Sequence, residues 1–189
     1  MQLKNVEFHE NSELMIIEEN AFGLSLIEDF SVPSSVTELK DKWCRGMKIL
    51  DKVTIMPNNP IYKNIDDNLI VGKSDPKSDI YDVLVFASRN IKSLIIPPNI
   101  KIISSFVFAE SSIESITISP QIVKICEGAF FSCKKLKKVE ILKNSELQII
   151  DQIAFFGGTF KSICIPSHLK IIIFRLLKSM SENIIVMIR

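Results

Sequence analysis

The chain of 189 residues is long enough for one medium domain that buries about 70% of its unfolded surface. With 47% apolar residues, 24% charged residues and a mean hydropathy of +0.24, it is excluded from the disordered class, which combines low hydrophobicity with high net charge. A net charge of +1 and a pI near 7.6 leave no long-range field to gather nucleic acid or anionic lipid, so neither is an expected partner.

The N-terminal residues Met1-Gln2-Leu3-Lys4-Asn5 run straight into alternating polar and apolar positions. No apolar h-region follows, so no signal peptide is read, and on that ground alone a cytoplasmic location is expected. The most apolar stretch, Ile171-Ile172-Ile173-Phe174, is interrupted by Arg175 and Lys178, too soon for a spanning helix, so no membrane insertion is expected. Cys44, Cys126, Cys133 and Cys164 have neither CxxC spacing nor a nearby histidine pair, and read as reduced thiols.

An internal repeat organises the chain. Glu7 to Phe22 matches Glu140 to Phe155, with Asn-Ser-Glu-Leu, Ile-Ile and Ala-Phe in the same register. A first apolar residue, a second three on and a third five on occur at Leu3/Val6/Phe8, Ile27/Phe30/Val32 and Leu50/Val53/Ile55. The same spacing returns at Ile91/Leu94/Ile96, Ile113/Ile116/Ile118, Leu136/Val139/Ile141 and Phe160/Ile163/Ile165, with a degraded copy at Val186/Ile188. The steps between first positions are 24, 23, 41, 22, 23 and 24 residues, a period with one outlier.

The second and third apolar positions lie two apart and face one side of a short strand. Pro33, Pro57, Pro97, Pro120 and Pro166 follow these strands and, lacking an N–H, end them. Strands are expected near residues 3–8, 27–32, 50–55, 91–96, 113–118, 136–141, 160–165 and 184–188. Next comes an apolar pair at i, i+3, such as Ile122/Ile125, and then a large residue five on: Phe22, Phe108, Phe130 or Phe155, with Cys44 and Leu177 in weaker copies. Those spacings suit a helical turn or short 3₁₀ arc better than a second full strand. No unit of about 23 residues can bury its own apolar stripe, so stacked units are expected, their strands paired in parallel into one long sheet and their phenylalanines in an inner column. The 32 isoleucines suit such a ladder. The expected fold is a single solenoid over residues 1–189, of about seven to eight units.

The run Ile113, Ile116, Ile118, Pro120, Val123, Ile125, Ala129, Phe130 and Cys133 resembles the BspA-type (Treponema-type) leucine-rich repeat. Two features depart from that pattern: the cysteine is kept only at Cys133, and the usual Ile-Gly before Ala-Phe is replaced, as in Ile125-Cys126-Glu127-Gly128. The 41-residue step holds Asn59-Pro60-Ile61-Tyr62 through Asp66 and Leu69, similar to an insertion that recurs in this family. The runs 69–71 and 83–86 flank the polar segment 72–79, which reads as a hairpin within an insertion at 57–90. The resemblance implies a structural spacer there; a partner-reading loop is the alternative.

Other motifs read as surface. Asp66, Asp67, Asp75, Asp79 and Asp82 lack the spacing of a calcium loop, and no metal or cofactor is expected. Lys134, Lys135, Lys137 and Lys138 surround a core leucine without aromatic stacking partners, and read as a solvated edge. His9 and His168 stand at opposite ends of the array, and no carboxylate accompanies Cys164 and His168, so no enzyme is expected.

Between the inward positions, strand residues point onto the concave face. The candidate binding surface comprises Glu7, Ser31, Thr54, Ile95, Thr117 and Glu140, with Lys52, Ser93, Ser115 and Lys138 in the next row. A protein or glycan is the expected ligand. The resemblance implies a cell-surface adhesin or receptor-like module; an intracellular scaffold fragment without its own ligand is the alternative. Units without polar caps at Leu3 and at Val186/Ile188 read either as part of a longer array or as ends that self-associate.

Overall fold

The computed structural model describes residues 3–172 and 185–188. Four strands precede the insertion: β1 (Ile16–Ile17), β2 (Asp29–Val32), β3 (Glu38–Leu39) and β4 (Lys52–Ile55). The insertion holds β5 (Tyr62–Asn64), β6 (Leu69–Gly72) and β7 (Val83–Ala87). After it come β8 (Ser93–Ile95), β9 (Ile102–Ile103), β10 (Ser115–Ile118), β11 (Lys124–Ile125), β12 (Lys138–Ile141), β13 (Ile149–Ile150), β14 (Ser162–Ile165), β15 (Ile171–Ile172) and β16 (Ile185–Ile188). Apart from the insertion they form a parallel β-solenoid, whose regular coils contribute a longer strand, a short strand and an arc, the arcs of the C-terminal coils carrying phenylalanine.

The short strands correct the expectation of a helical or 3₁₀ arc only at the i, i+3 pair; the arc that carries the phenylalanine is a run of turns, closed by bonds such as the Phe131 N–H to Gly128 O at 2.8 Å. No helix occurs among the described residues. Bonds that a helical turn would close within a coil run to the neighbouring coil instead: the Val123 N–H donates to Lys101 O at 2.8 Å, and the Cys126 N–H to Ile103 O at 2.9 Å. The i, i+3 spacing therefore marks a two-residue strand flanked by bends. The arc after it is laddered too. Phe106, Phe108 and Glu110 donate to Glu127, Ala129 and Phe131 of the next coil, and Gly128, Phe130 and Ser132 donate to Gln152, Ala154 and Phe156.

Two left-handed residues bracket each arc: Asn20/Leu24, Lys42/Gly46, Phe106/Glu110, Gly128/Ser132 and Ile153/Gly157 all have positive φ. Glycine is the residue best suited to such a backbone, and Gly128, directly before Ala129-Phe130, takes the left-handed position that opens its arc. A Cβ at Gly128 would come within 2.6 Å of the Phe106 ring.

Phe108, Phe130 and Phe155 stack nearly parallel, with centroids 4.8 and 4.9 Å apart, and all three are fully buried. They form the spine of a C-terminal core with Ile113, Ile116, Ile118 and their counterparts. A separate N-terminal core gathers Phe30, Trp43, Met47, Val53 and Phe86.

The insertion stands between the two cores. β5, β6 and β7 are an antiparallel meander, and β7 joins β9 in parallel to continue the short-strand sheet. Ile70, Val85 and Phe86 pack into the N-terminal core, whereas Leu69, Val71, Leu84 and Ala87 pack into the C-terminal one. Burial on both faces accounts for its continuous apolar runs. Arg89 follows it, only 4% exposed, its guanidinium donating to the carbonyls of Ala87, Val107 and Cys44.

The longer strands do not make one continuous sheet. They form three ladders, β2–β4, β8–β10–β12 and β14–β16. Residues 3–8 are not a strand; Leu26 N–H donates to Leu3 O, while half-buried Val6 and Phe8 pack on the N-terminal core. Ile185–Ile188 pairs in parallel with β14, and position 184 and Leu177 lie outside the described residues.

Candidate functional site

Alternation along the longer strands places every second side chain outside the core, and parallel register aligns these side chains into rows. Ser93, Ser115 and Lys138 are in register, as are Ile95, Thr117 and Glu140. In the N-terminal ladder Asp29 pairs with Lys52, and Ser31 with Thr54. Lys52, Thr54, Ser93 and Lys138 are exposed, while Ser31, Ser115, Thr117 and Glu140 are half-buried. Ile95 is 71% exposed. Glu7 lies outside the ladders and accepts a hydrogen bond from Asn5 at 2.9 Å. The candidate residues therefore divide between the first two ladders and do not form one unbroken row.

The first interruption is built from the insertion's own polar side chains. Asn64 Oδ1 accepts the Ile55 N–H at 2.8 Å, and its Nδ2 donates to Val53 O at 2.7 Å. One amide thus occupies the hydrogen-bonding edge of β4 that another strand would take. Asn59 accepts the N–H groups of Ile61 and Tyr62 and donates to Pro33 O and Val36 O. Tyr62 Oη accepts the Leu39 N–H at 2.8 Å, and burial pushes its phenol above the ordinary range. Asp66 accepts the Asn68 and Leu69 N–H groups. A depression of about 340 Å³ remains between Lys52, Thr54, Asn64, Asp66 and Asp67.

The second interruption separates β12 from β14. In earlier coils, Ser115 N–H donates to Lys92 O and Lys138 N–H to Glu114 O. Among the described residues no backbone bond joins β14 to β12. Thr159 makes the last link, its N–H and Oγ1 both directed to Leu136 O. The turn after β12 explains the opening. Six residues step from Ile141 to Leu147, against four from Ile118 to Ile122, and no proline ends the strand. Its Asn-Ser-Glu-Leu segment is a local turn in which Ser145 Oγ accepts the Leu147 N–H; Ser12 and Leu14 repeat it in the first unit.

This opening is a cleft of about 940 Å³ lined by Lys137, Lys138, Glu140, Leu142, Lys143, Thr159, Lys161, Ser162 and Cys164, among others. Lys138 is paired with Glu140 at 2.7 Å, and Lys137 lies 3.9 Å from Glu114. An adjoining depression of about 470 Å³ brings Cys164 and His168 to one wall, with no carboxylate among its lining residues. Lys134 and Lys135 line a different depression, so the four-lysine run divides between two surfaces. Lys143, Lys161 and Asn64 were not singled out from sequence; the longer, proline-free turn after Ile141 was the available signal for the first two.

Buried Cys44 and Cys133 and half-buried Cys126 are poor nucleophiles. Desolvation raises Cys126 and Cys133 to about 11, and it raises Cys44 despite the nearby Arg89. Among the described residues no three metal-ligating side chains cluster, and no helix is long and apolar enough to cross a membrane.

Three solved structures are similar over most of the chain. The pneumococcal vaccine antigen PcpA aligns at 25% identity with a TM-score of 0.79, over 89% of this chain and 40% of that one. A leucine-rich repeat protein from Eubacterium ventriosum aligns at 21% identity and TM-score 0.70, over 89% and 47%. A leucine rich cell surface protein from Faecalibacterium prausnitzii gives 21% and 0.66, over 92% and 51%. The chain thus spans about half or less of each relative's length. No curated protein matches its sequence. Six copies of the BspA type leucine rich repeat region match residues 1–71 and 80–183. With that match over most of its length, and with the Ala-Phe arcs at Phe130 and Phe155 and the Asn-Pro-x-Tyr spacer in place, the chain belongs to the BspA-type leucine-rich repeat family.

Proposed function

We propose that the chain is a non-enzymatic interaction module, exposed at a cell surface as an adhesin, whose long-strand face holds a protein or glycan ligand. The observation that carries this reading is the pair of in-register rows, Ser93/Ser115/Lys138 and Ile95/Thr117/Glu140. Their short, mostly polar side chains stand on a rigid parallel ladder whose inward positions are filled by packed core. A repeated surface of this kind offers many small contacts along one line, which suits an extended ligand. A similar structure described as a cell surface protein, and another as a vaccine antigen, support placing this chain outside the cell. Cys164 and His168 have no carboxylate to orient them, which favours binding over nucleophilic chemistry.

The test is antibody labelling of intact source cells, with permeabilised cells as the control. Labelling of intact cells is expected. Labelling confined to permeabilised cells would overturn the adhesin and make the chain an internal scaffold.

A further inference from the structure

The sequence pattern predicts a continuous face, and the structure opens it at one place into a cleft lined by four lysines, Lys137, Lys138, Lys143 and Lys161, with a single carboxylate, Glu140. The 189-residue chain carries a net charge of only +1, so positive charge is concentrated in this cleft. The Lys137 and Lys138 side chains are 74% and 68% exposed and lie 3.9 and 2.7 Å from Glu114 and Glu140, surface pairs that an incoming anion can exchange at little cost, while Lys143 and Lys161 line the same cleft.

We propose that this cleft binds a linear, negatively charged glycan bearing sulfate or carboxylate groups. Three features select that chemistry. Firstly, the charges are spread along the cleft. Lys137 and Lys161 occupy equivalent positions in adjacent coils at one end, while Lys143 lies past the end of β12. At about 3.3 Å per residue, that separation is roughly 15–20 Å. A small free anion meets one end only; a polymer with repeating charges meets both. Secondly, the lining contains no aromatic ring, which removes the stacking platform a single-stranded nucleic acid uses. Thirdly, lysine without arginine supplies charge without a planar fork, which suits the varied orientations of sulfate and carboxylate on a sugar chain. Thr159 and Ser162 add hydroxyls to the same wall.

The inference rests on the interaction reading of this face and names the ligand class for part of it. Surface labelling of cells and glycan binding by the purified chain fail independently, so each reading falls on its own result.

The experiment is titration calorimetry of the full purified chain with a size-defined sulfated heparin oligosaccharide, at 50 and 200 mM NaCl as about the working range over which polyanion contacts weaken. Binding is expected at low salt and should weaken at least about tenfold at the higher salt. The double variant Lys143→Glu/Lys161→Glu should lose about tenfold or more in affinity, near 1.4 kcal/mol. Lys134→Glu/Lys135→Glu carries the same change of net charge on a different depression and should lose less than about twofold. Circular dichroism checks that both variants fold. Equal losses in the two variants would overturn the cleft, as would no binding by the unaltered chain. Equal or tighter binding of poly-glutamate would overturn the glycan in favour of an acidic peptide, and binding of inorganic sulfate alone would overturn the extended ligand.

Discussion

The stacked phenylalanine spine sets the stability of the C-terminal half, and truncating its middle member is the sharpest test of that view. Phe130 is fully buried and has a nearly parallel ring on each side, Phe108 at 4.8 Å and Phe155 at 4.9 Å. Phe130→Ala loses the transfer free energy of the ring and leaves a cavity, together about 3–5 kcal/mol. Each of the two lost ring contacts adds about 0.5–1.5 kcal/mol, so the expected loss is about 4–8 kcal/mol. Phe22 is the control. It is half-buried at the first unit, tilted by 55° against Phe30 at 5.0 Å, and Phe22→Ala should cost about 1–2 kcal/mol by the same area reasoning. Because coils couple to nearest neighbours, damage at Phe130 should also spread unevenly. Trp43 is the sole tryptophan and belongs to the N-terminal core, so its fluorescence follows that half alone. In urea titrations, far-UV circular dichroism of Phe130→Ala should fall before Trp43 fluorescence changes. A loss below about 2 kcal/mol, given the expected cavity term, or coincident transitions by the two probes, would refute the spine as described.

Three further outcomes follow from local chemistry. Gly128→Ala forces a side chain into a left-handed backbone at φ 59° and against the Phe106 ring; the backbone alone should cost about 1–2 kcal/mol in urea denaturation, and no loss would show that the arc relaxes freely. Asn59→Ala removes four hydrogen bonds, two that shape the spacer at Ile61 and Tyr62 and two that tie it to Pro33 and Val36 of the coil below, and should cost about 2–4 kcal/mol, since each contributes about 0.5–1.5; Asn59→Asp keeps only the acceptor role and should recover part of that. Cys133, raised to about 11 from the ordinary 9.0, keeps its proton in the folded chain while the unfolded chain gives it up. Its contribution is therefore complete below pH 9 and lost as pH rises from 9 toward 11, with a slope of up to about 1.4 kcal/mol per pH unit. Denaturation of Cys133→Ala across that range should lack this component, and identical slopes would remove the thiol from the account.

Much of the architecture is legible because it rests on residue types whose placement is local. The period, the inward pairs at Ile116/Ile118 and Ile163/Ile165, and the Phe108–Phe130–Phe155 spine all follow from apolar spacing. The two-residue strands were less legible because an i, i+3 pair such as Ile122/Ile125 fits either a helical turn or a bent extended segment. Only the neighbouring coil's carbonyls decide which forms. Nothing in the local sequence marks Arg89 as buried, because the carbonyls that hold it come from three separate segments. The meander's double-sided burial was likewise hidden, since Leu69-Ile70-Val71 fits a hairpin on the outside equally well. Of the candidate face, the rows themselves were readable and their interruptions were not. An interruption depends on whether adjacent coils close their ladder, a relation between units that no single unit records.

The turn after β12 ties these threads together. The Asn-Ser-Glu-Leu segment that reveals the repeat occurs in the two coils whose turns span six residues, Phe8–Leu14 and Ile141–Leu147. In both, no long-strand ladder forms with the following coil: residues 3–8 do not pair with β2, and β12 does not pair with β14. A longer turn shifts the end of its strand relative to the next coil, and parallel pairing tolerates little shift before the slanted bonds are lost. Replacing residues 142–146 with the Ser-Pro-Gln of the preceding coil, residues 119–121, should close the ladder. Hydrogen exchange of the Ser162 amide would then slow by about tenfold or more as it gains a carbonyl partner, and the same change should weaken sulfated-glycan binding, because it narrows the cleft and also removes Lys143 from its lining. Unchanged exchange at Ser162 would mean that the opening is set elsewhere, and would separate the turn from the cleft it borders.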